Sequence, residues 1–343
     1  MPNKESILIK AIAGDFARHP KQLNKLLEAY AEIMSLPGRD NEWLVLKTDG
    51  LHEEIKTRLY EDPYLLGWMT VTAPVSDIAA VGAIPTGILL SLVLDQDIDS
   101  KWLAEFKSGI NAACDKYNIY VLGGDTNFDV ICSVSATVVA NISGRKPLLR
   151  TGMNAGDILY ASGLPGLGNA FGYSKMFDPS FQVTYKPVAR LDASHFIGKY
   201  ATACIDTSDG LFPALAVLCE LNGTGCNLTV PLETILNADA AAICSNAKIP
   251  AWMLLAGPHG EYELLFTIPA KLRQIFERDC ADGNFGAVML GEITGHQQIS
   301  FVSGSMQVSC ESNVIPDLYY ESRGNVATYY SLLQQQHDRW NNL

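Results

Sequence analysis

Disulfide-style and zinc-style spacings are both missing from this sequence. Its eight cysteines, Cys114, Cys132, Cys204, Cys219, Cys226, Cys244, Cys280 and Cys310, form no Cys-x-x-Cys pair and no dense cluster. Its six histidines show no ligand-like spacing either. A disulfide scaffold is thereby excluded and a zinc centre disfavoured. Most of the cysteines sit in apolar runs, as in Ala112-Ala113-Cys114 and Leu218-Cys219, and read as small core residues in a reducing compartment. Basic charge is also scarce, with 25 Lys and Arg against 37 Asp and Glu and a net charge of −12. No basic stripe is left to displace counterions from a nucleic acid. No apolar run reaches the ~18 residues a membrane span requires. The start, Met1-Pro2-Asn3-Lys4-Glu5-Ser6, lacks the basic-then-apolar order of a secretory leader. The expectation is a soluble, cytoplasmic protein without nucleic-acid or membrane partners.

What is present is enough apolar material for a large core. Hydrophobic residues make up 48% of the chain and charged ones only 18%, which places it among folded proteins. A length of 343 residues exceeds what one core usually organises, so two domains are expected. The acidity constrains the chemistry as well. An anionic substrate such as a phosphate ester would be repelled unless cations neutralise the site, and divalent metal held by carboxylates is the simplest supply.

The spacing of Leu23, Leu26, Leu27, Tyr30 and Ile33 predicts a helix over 21–34 that ends at Pro37-Gly38. A strand over 43–48 then delivers Asp49-Gly50 to a turn. A helix is expected over 65–81, with Pro74 predicting a kink or a break and Asp77 in its C-terminal half. Strands over 86–94, 119–122 and 130–142 and a helix over 100–117 complete an α+β region. The Gly-, Pro- and Arg/Lys-rich stretch 145–156 marks the boundary, giving residues 1–147 and 148–343 as the two domains. The second half reads as strand 157–161, helix 169–176, strand 201–205, helix 211–221, strand 263–268 and a helical tail beyond Asn325.

Three groups of residues could carry chemistry. The first is a set of aspartates beside Gly, Ser or Thr where apolar segments stop: Thr48-Asp49-Gly50, Ser76-Asp77, Gly123-Gly124-Asp125-Thr126 and Ile205-Asp206-Thr207-Ser208-Asp209-Gly210. Carboxylates projecting into a cleft suit magnesium that bridges protein and phosphate oxygens. Taken singly, an Asp in such a place more often caps a helix or starts a turn. The second is Gly163-Leu164-Pro165-Gly166-Leu167-Gly168-Asn169, which could offer amides to an anion or be only a tight turn. The third is the polar stretch Gly257-Pro258-His259-Gly260-Glu261-Tyr262, which leads into an apolar strand and could line a pocket.

These segments occur in the order and with the wording of the thiamine-monophosphate kinases, which the chain resembles from about Trp43 to Ile268. The most specific pieces are Ser76-Asp77-Ile78-Ala79-Ala80-Val81-Gly82-Ala83-Ile84-Pro85, Leu122-Gly123-Gly124-Asp125-Thr126, Arg150-Thr151-Gly152, Ile205-Asp206-Thr207-Ser208-Asp209-Gly210 and Glu261-Tyr262-Glu263-Leu264-Leu265. The resemblance implies the fold shared with aminoimidazole ribonucleotide synthetase and selenophosphate synthetase. That fold joins an N-terminal α+β domain, which dimerises through its sheet, to a C-terminal α/β domain. It implies an ATP-dependent, Mg2+-dependent phosphotransferase acting on a small-molecule acceptor.

Carried over position by position, the family's metal-binding aspartates fall on Asp49, Asp77, Asp125, Asp206 and Asp209, of which Asp125 and Asp209 would be catalytic. Nucleotide contacts fall on Gly123, Gly124, Asp125, Thr126, Arg150 and Ser208, and acceptor contacts on His52, Glu261 and Tyr262. Two departures stand out. The family's Gly-Asp-Asp segment before the first long strand is replaced by Ser35-Leu36-Pro37-Gly38-Arg39-Asp40-Asn41-Glu42, where at most Asp40 could substitute. Its Gly-Gly-Glu-Asp-Tyr-Glu loop becomes Gly257-Pro258-His259-Gly260-Glu261-Tyr262-Glu263. Two alternatives therefore stand beside the kinase: a nucleotide- and metal-binding homologue that has lost catalysis, and a cyclo-ligase or synthetase of a sister family. The apolar strand Thr86 to Leu94 has no clean solvent face, so a homodimer covering it is expected.

Overall fold

A computed structural model describes residues 4–36, 38–39, 41–283 and 285–342. Among them, twelve strands form two sheets. The first sheet is built from β1 (Glu32–Ser35), β2 (Glu42–Gly50), β3 (Ile84–Leu94), β4 (Tyr120–Phe128) and β5 (Ser133–Ser143), in the order β1-β2-β5-β3-β4. All its pairings are antiparallel except β3 with β4. The second sheet comprises β6 (Asp157–Ala161), β7 (Ala203–Asp206), β8 (Gly225–Leu228), β9 (Leu264–Pro269), β10 (Val288–Thr294), β11 (Gln298–Ser303) and β12 (Met306–Glu311). Its order is β12-β11-β8-β10-β6-β9-β7, and β11 with β8 is its one parallel pairing. No described helix is long and apolar enough to cross a membrane.

One helix holds the two sheets together. The segment Pro63–Ala80 starts where Asp62 accepts the Tyr64 amide and Pro63 presets the first turn, and every residue from Leu65 to Ala80 is buried. It touches β2, β3 and β5 on one side and β7 of the second sheet on the other. The expected interruption at Pro74 does not occur, since the helix runs unbroken through it. Packing on all sides outweighs the hydrogen bond that proline removes. The neighbouring helix Ser100–Tyr117 lies backbone against backbone with it: a Cβ on Gly67 would stand 2.1 Å from the Phe106 carbonyl oxygen, and one on Gly109 2.0 Å from that of Tyr64.

The helix expected over 21–34 is absent. Residues 21–31 form turns and bends, and the chain then enters β1, with Ile33 paired to Val45. The Asn24 side chain accepts the Ile33 amide at 3.0 Å, and Leu23 N donates to the Ile33 carbonyl. Asn24 thus offers the backbone a local alternative to the helix, and the apolar residues that looked like one helical face line a small hairpin instead. The helix Lys4–Ala13 and the length of β4 were not anticipated. Asp40, the candidate substitute for the missing carboxylate pair, lies outside the described residues.

Candidate active site

Asp77, Asp206 and Asp49 approach one another where the long helix, the end of β7 and the end of β2 meet. Ser76 Oγ donates to Asp206 Oδ2 at 2.5 Å, which links the helix of the first sheet directly to the second sheet. Ser208 donates to Asp206 Oδ1 through its hydroxyl at 2.9 Å and its amide at 3.3 Å. Asp206 is 1% exposed and Asp77 2%. Burial pushes the carboxyls of Asp77, Asp206 and Asp49 upward. At Asp77 the Lys47 ammonium opposes the rise, while Asp206 and Asp49 add to it by like-charge repulsion.

Two residues that the sequence did not single out sit in the middle of this cluster. Lys47 precedes Asp49 by two positions, so alternation along β2 turns both toward the helix layer. Its Nζ lies 2.9 Å from Asp77 Oδ2. Burial disfavours the ammonium, but Asp77, Asp49 and Asp206 outweigh that and hold its pKa above the usual lysine value. Tyr30 brings its ring beneath two cations, with Lys47 Nζ 5.0 Å and the Arg150 guanidinium 4.8 Å from the ring centroid. Its hydroxyl is 3.2 Å from Ser208 Oγ. The only trace of either residue in the sequence was an unusual Lys before a Thr-Asp turn and an aromatic inside a misread helix.

The remaining expected residues divide. Asp209 is exposed at the turn after β7 and lines a cavity of about 280 Å³ together with Tyr30, Glu53, Glu54, Asp206, Pro258, His259, Tyr319 and Tyr320. Arg150 and Ser208 stand beside it through Tyr30. His52 is exposed at the start of a short helix and does not line this cavity, whereas Glu53 and Glu54 do. Burial raises Glu54 to about 7 and lowers His259 to about 4.

Glu261 is buried with both oxygens used by the protein: it accepts the Gly166 amide at 2.8 Å and the Thr207 hydroxyl at 2.7 Å. Tyr262 is buried against Tyr60 and Tyr185, and it lines neither this cavity nor the others described below. In this structure the Glu261 carboxyl is hydrogen-bonded within the fold and Tyr262 is buried among aromatic rings. The glycine-rich turn 163–168 is accounted for in the same way, with the Gly166 amide already paired to Glu261. A Cβ on Gly168 would stand 2.1 Å from Gly260 O, and one on Gly260 would stand 1.6 Å from Thr207 O. Three loops thus pack backbone to backbone, which only glycine permits.

Asp125 is placed elsewhere. Gly50, Ser135, Ser91 and Asp125 form one row across β2, β5, β3 and β4. Three strand spacings separate its ends by about 14 Å. Register also puts Asp125 on the opposite face of the sheet from Asp49, and every residue of β4, including Gly123, Gly124 and Thr126, is exposed. Its carboxylate accepts from Asn127 Nδ2 at 2.7 Å. Among the described residues, no three His, Cys, Asp or Glu side chains come close enough to form a ready-made metal cage.

Residues 29–142 match the family model described as AIR synthase related protein, N-terminal domain. Thiamine-monophosphate kinase from Buchnera aphidicola subsp. Schizaphis graminum is 31% identical over 278 residues, covering 76% of this chain and 82% of that protein. The chain belongs to the thiamine-monophosphate kinase family. The Methanospirillum hungatei JF-1 member is 32% identical over 234 residues, 66% of this chain and 75% of its own. Membership in this family makes the protein an ATP-dependent kinase. The solved structure described as AaThiL complexed with AMPPCP and TMP superimposes with a TM-score of 0.70 at 23% identity, covering 88% of this chain and 95% of that one. The expected two-domain fold of the aminoimidazole ribonucleotide synthetase superfamily is thereby established.

Proposed function

We propose that this kinase transfers the terminal phosphoryl group of ATP to thiamine monophosphate in a magnesium-dependent reaction, acting as a homodimer. One observation carries the reading: Asp49, Asp77 and Asp206 meet at the junction of the two sheets, and Asp206 and Asp209 line a cavity whose other walls include Glu53, Glu54, Tyr30, Tyr319 and Tyr320 beside several aliphatic residues. Glu53, Glu54, Tyr319 and Tyr320 would suit a flat, cationic heteroaromatic acceptor. Its own phosphate would then point toward Asp206 and Asp209.

The donor set is all oxygen, as magnesium requires, and it outnumbers the local cations: four carboxylates against Lys47 and Arg150. Asp206 and Asp209 are the residues that would hold magnesium, since Asp77 faces Lys47. When bound, magnesium supplies positive charge shared between these carboxylates and the phosphate oxygens. Ser76 and Ser208 fix the Asp206 carboxylate, and Arg150 presents its guanidinium beside Tyr30. Transfer of this kind needs positioning and charge neutralisation, with no covalent protein intermediate.

The outer face of the first sheet supports the dimer. Leu89 is 41% exposed, Leu122 58% and Tyr120 71%, an apolar surface that a second copy would cover. Asp125 lies on the same face, so dimerisation would set Gly123 to Thr126 against a second chain. The division into residues 1–147 and 148–343 belongs to the same reading, with ATP in the cleft between domains or at the subunit boundary. The test is product formation by purified protein with ATP, Mg2+ and thiamine monophosphate, run beside sugar phosphates and nucleoside-like acceptors. Turnover of thiamine monophosphate is expected. Nucleotide binding without product on any acceptor would instead favour a homologue that has lost catalysis.

A further inference from the structure

A lysine ammonium lies among the carboxylates of Asp49, Asp77 and Asp206. Lys47 Nζ is 2.9 Å from Asp77 Oδ2, an oxygen that no hydrogen bond of standard geometry reaches among the described residues. The Asp77 side chain is 3% exposed and that of Lys47 26%, so the pair is largely removed from water while the ammonium keeps one side open. That open side lies on a second cavity of about 490 Å³, which Lys47 shares with Tyr30, Thr48, Arg150 and Asp209. Tyr30 lines both this cavity and the acidic, aromatic one, and its ring carries Lys47 and Arg150 at 5.0 and 4.8 Å from the centroid.

The charges can be counted. Asp49, Asp77, Asp206 and Asp209 bring four formal negative charges, and Lys47 and Arg150 bring two positive ones, leaving minus two. One divalent ion balances that. Without Lys47 the deficit would be minus three, and the Asp77 oxygen would be buried with no counter-ion, a state far costlier than the pair.

We propose that Lys47 is a built-in cation of the phosphoryl-transfer site, standing in for one divalent ion at the Asp49–Asp77–Asp206 cluster. The site therefore works with one ion fewer than its carboxylates could hold. Lys47 is a positioning residue for the nucleotide phosphates, held by Asp77 and by the Tyr30 ring. This inference rests on the phosphoryl-transfer reading of the site but not on the identity of the acceptor.

The test is Mn2+ uptake by the full chain, followed through the electron paramagnetic resonance signal of free Mn2+ without nucleotide or turnover. Lys47→Met keeps the apolar stem and removes the charge, and it is expected to bind one more Mn2+ per chain than the unmodified protein, at least about tenfold more tightly than any binding the unmodified cluster shows. Adding Asp77→Asn to it should abolish the gain. Asp77→Asn alone should leave Mn2+ uptake unchanged, because Asp77 already has its cation. Equal stoichiometry and affinity in Lys47→Met and unmodified protein would overturn the proposal. So would loss of a bound Mn2+ in Asp77→Asn alone, and that arm decides the matter if Lys47→Met does not fold. A kinase assay that fails with every acceptor, beside a gained ion in Lys47→Met, would remove the proposed reaction and leave the internal cation standing.

Discussion

Asp206 and Asp125 look alike in the sequence, each next to a Thr or Ser and near glycine, yet the fold treats them as opposites. Asp206 ends a buried strand, accepts three hydrogen bonds and has Asp77 and Lys47 for neighbours. Asp125 lies on a fully exposed edge strand, on the far face of the first sheet, with Asn127 as its hydrogen-bond partner. One is complete within a single chain. The other faces outward, on the exposed face of the sheet.

The sharpest way to break this contrast is to neutralise each carboxylate in turn. Asp206→Asn should slow phosphoryl transfer by roughly a hundred- to a thousandfold, the scale seen when one preorganised electrostatic group is lost from a site. Asp125→Asn should cost a comparable factor although it touches nothing in its own chain's cluster. Mixing the two inactive variants should then recover activity, since each mixed dimer would hold one site with both carboxylates intact. Steady-state rates of the singles and the mixture decide it; full activity in Asp125→Asn would place β4 outside the reaction.

A smaller effect is expected from the surface that carries Asp125. Leu122 is 58% exposed on β4, and Leu122→Asp should convert a dimer to monomer in light scattering while nucleotide binding weakens. Unmodified protein that scatters as a monomer at micromolar concentration would remove the dimer and with it the role given to Asp125.

The smallest effect concerns a carboxyl buried and hydrogen-bonded within the fold. Burial raises Glu261 to about 8, above the ordinary glutamate value, so it stays protonated in the folded state after the unfolded chain has ionised. Between those two values the folded protein binds the extra proton, and stability falls as pH rises, by at most ~1.4 kcal/mol per pH unit. Glu261→Gln keeps an acceptor oxygen for the Gly166 amide and offers its NH2 to the Thr207 hydroxyl oxygen, and it should flatten that slope in urea denaturation between pH 5.5 and 7.5. An unchanged slope would show that Glu261 ionises without penalty.

The strands β2 to β5 and the aspartates that end β2 and β7 could be read from the sequence, because strand ends marked by Asp-Gly or Asp-Thr are local signals, whereas β8, β10, β11 and β12 went unpredicted. The apolar character of strand β3, which lies between β5 and β4, was legible as well. The burial of Glu261 and Tyr262 was not legible for a tertiary reason: whether a polar side chain in a loop faces a cavity or a neighbouring backbone depends on which loop packs there. Here Gly168, Gly260 and Thr207 meet at backbone distance. The misread helix over 21–34 failed because a spacing of three to four apolar residues in a short segment also fits a hairpin once Asn24 and β2 compete for the backbone.

By itself, then, the sequence determined the set of carboxylates, their attachment to strand ends and the acidity that makes cations necessary, since these follow from residue type and local spacing. Only the tertiary structure decided which of them share one site. The face of a strand follows from register and the partner of a buried charge from packing, and neither is encoded near the residue concerned. That is why Lys47, an unremarked residue two positions before a predicted ligand, lies against Asp77, and why Asp125 lies about 14 Å away on the other side of the sheet.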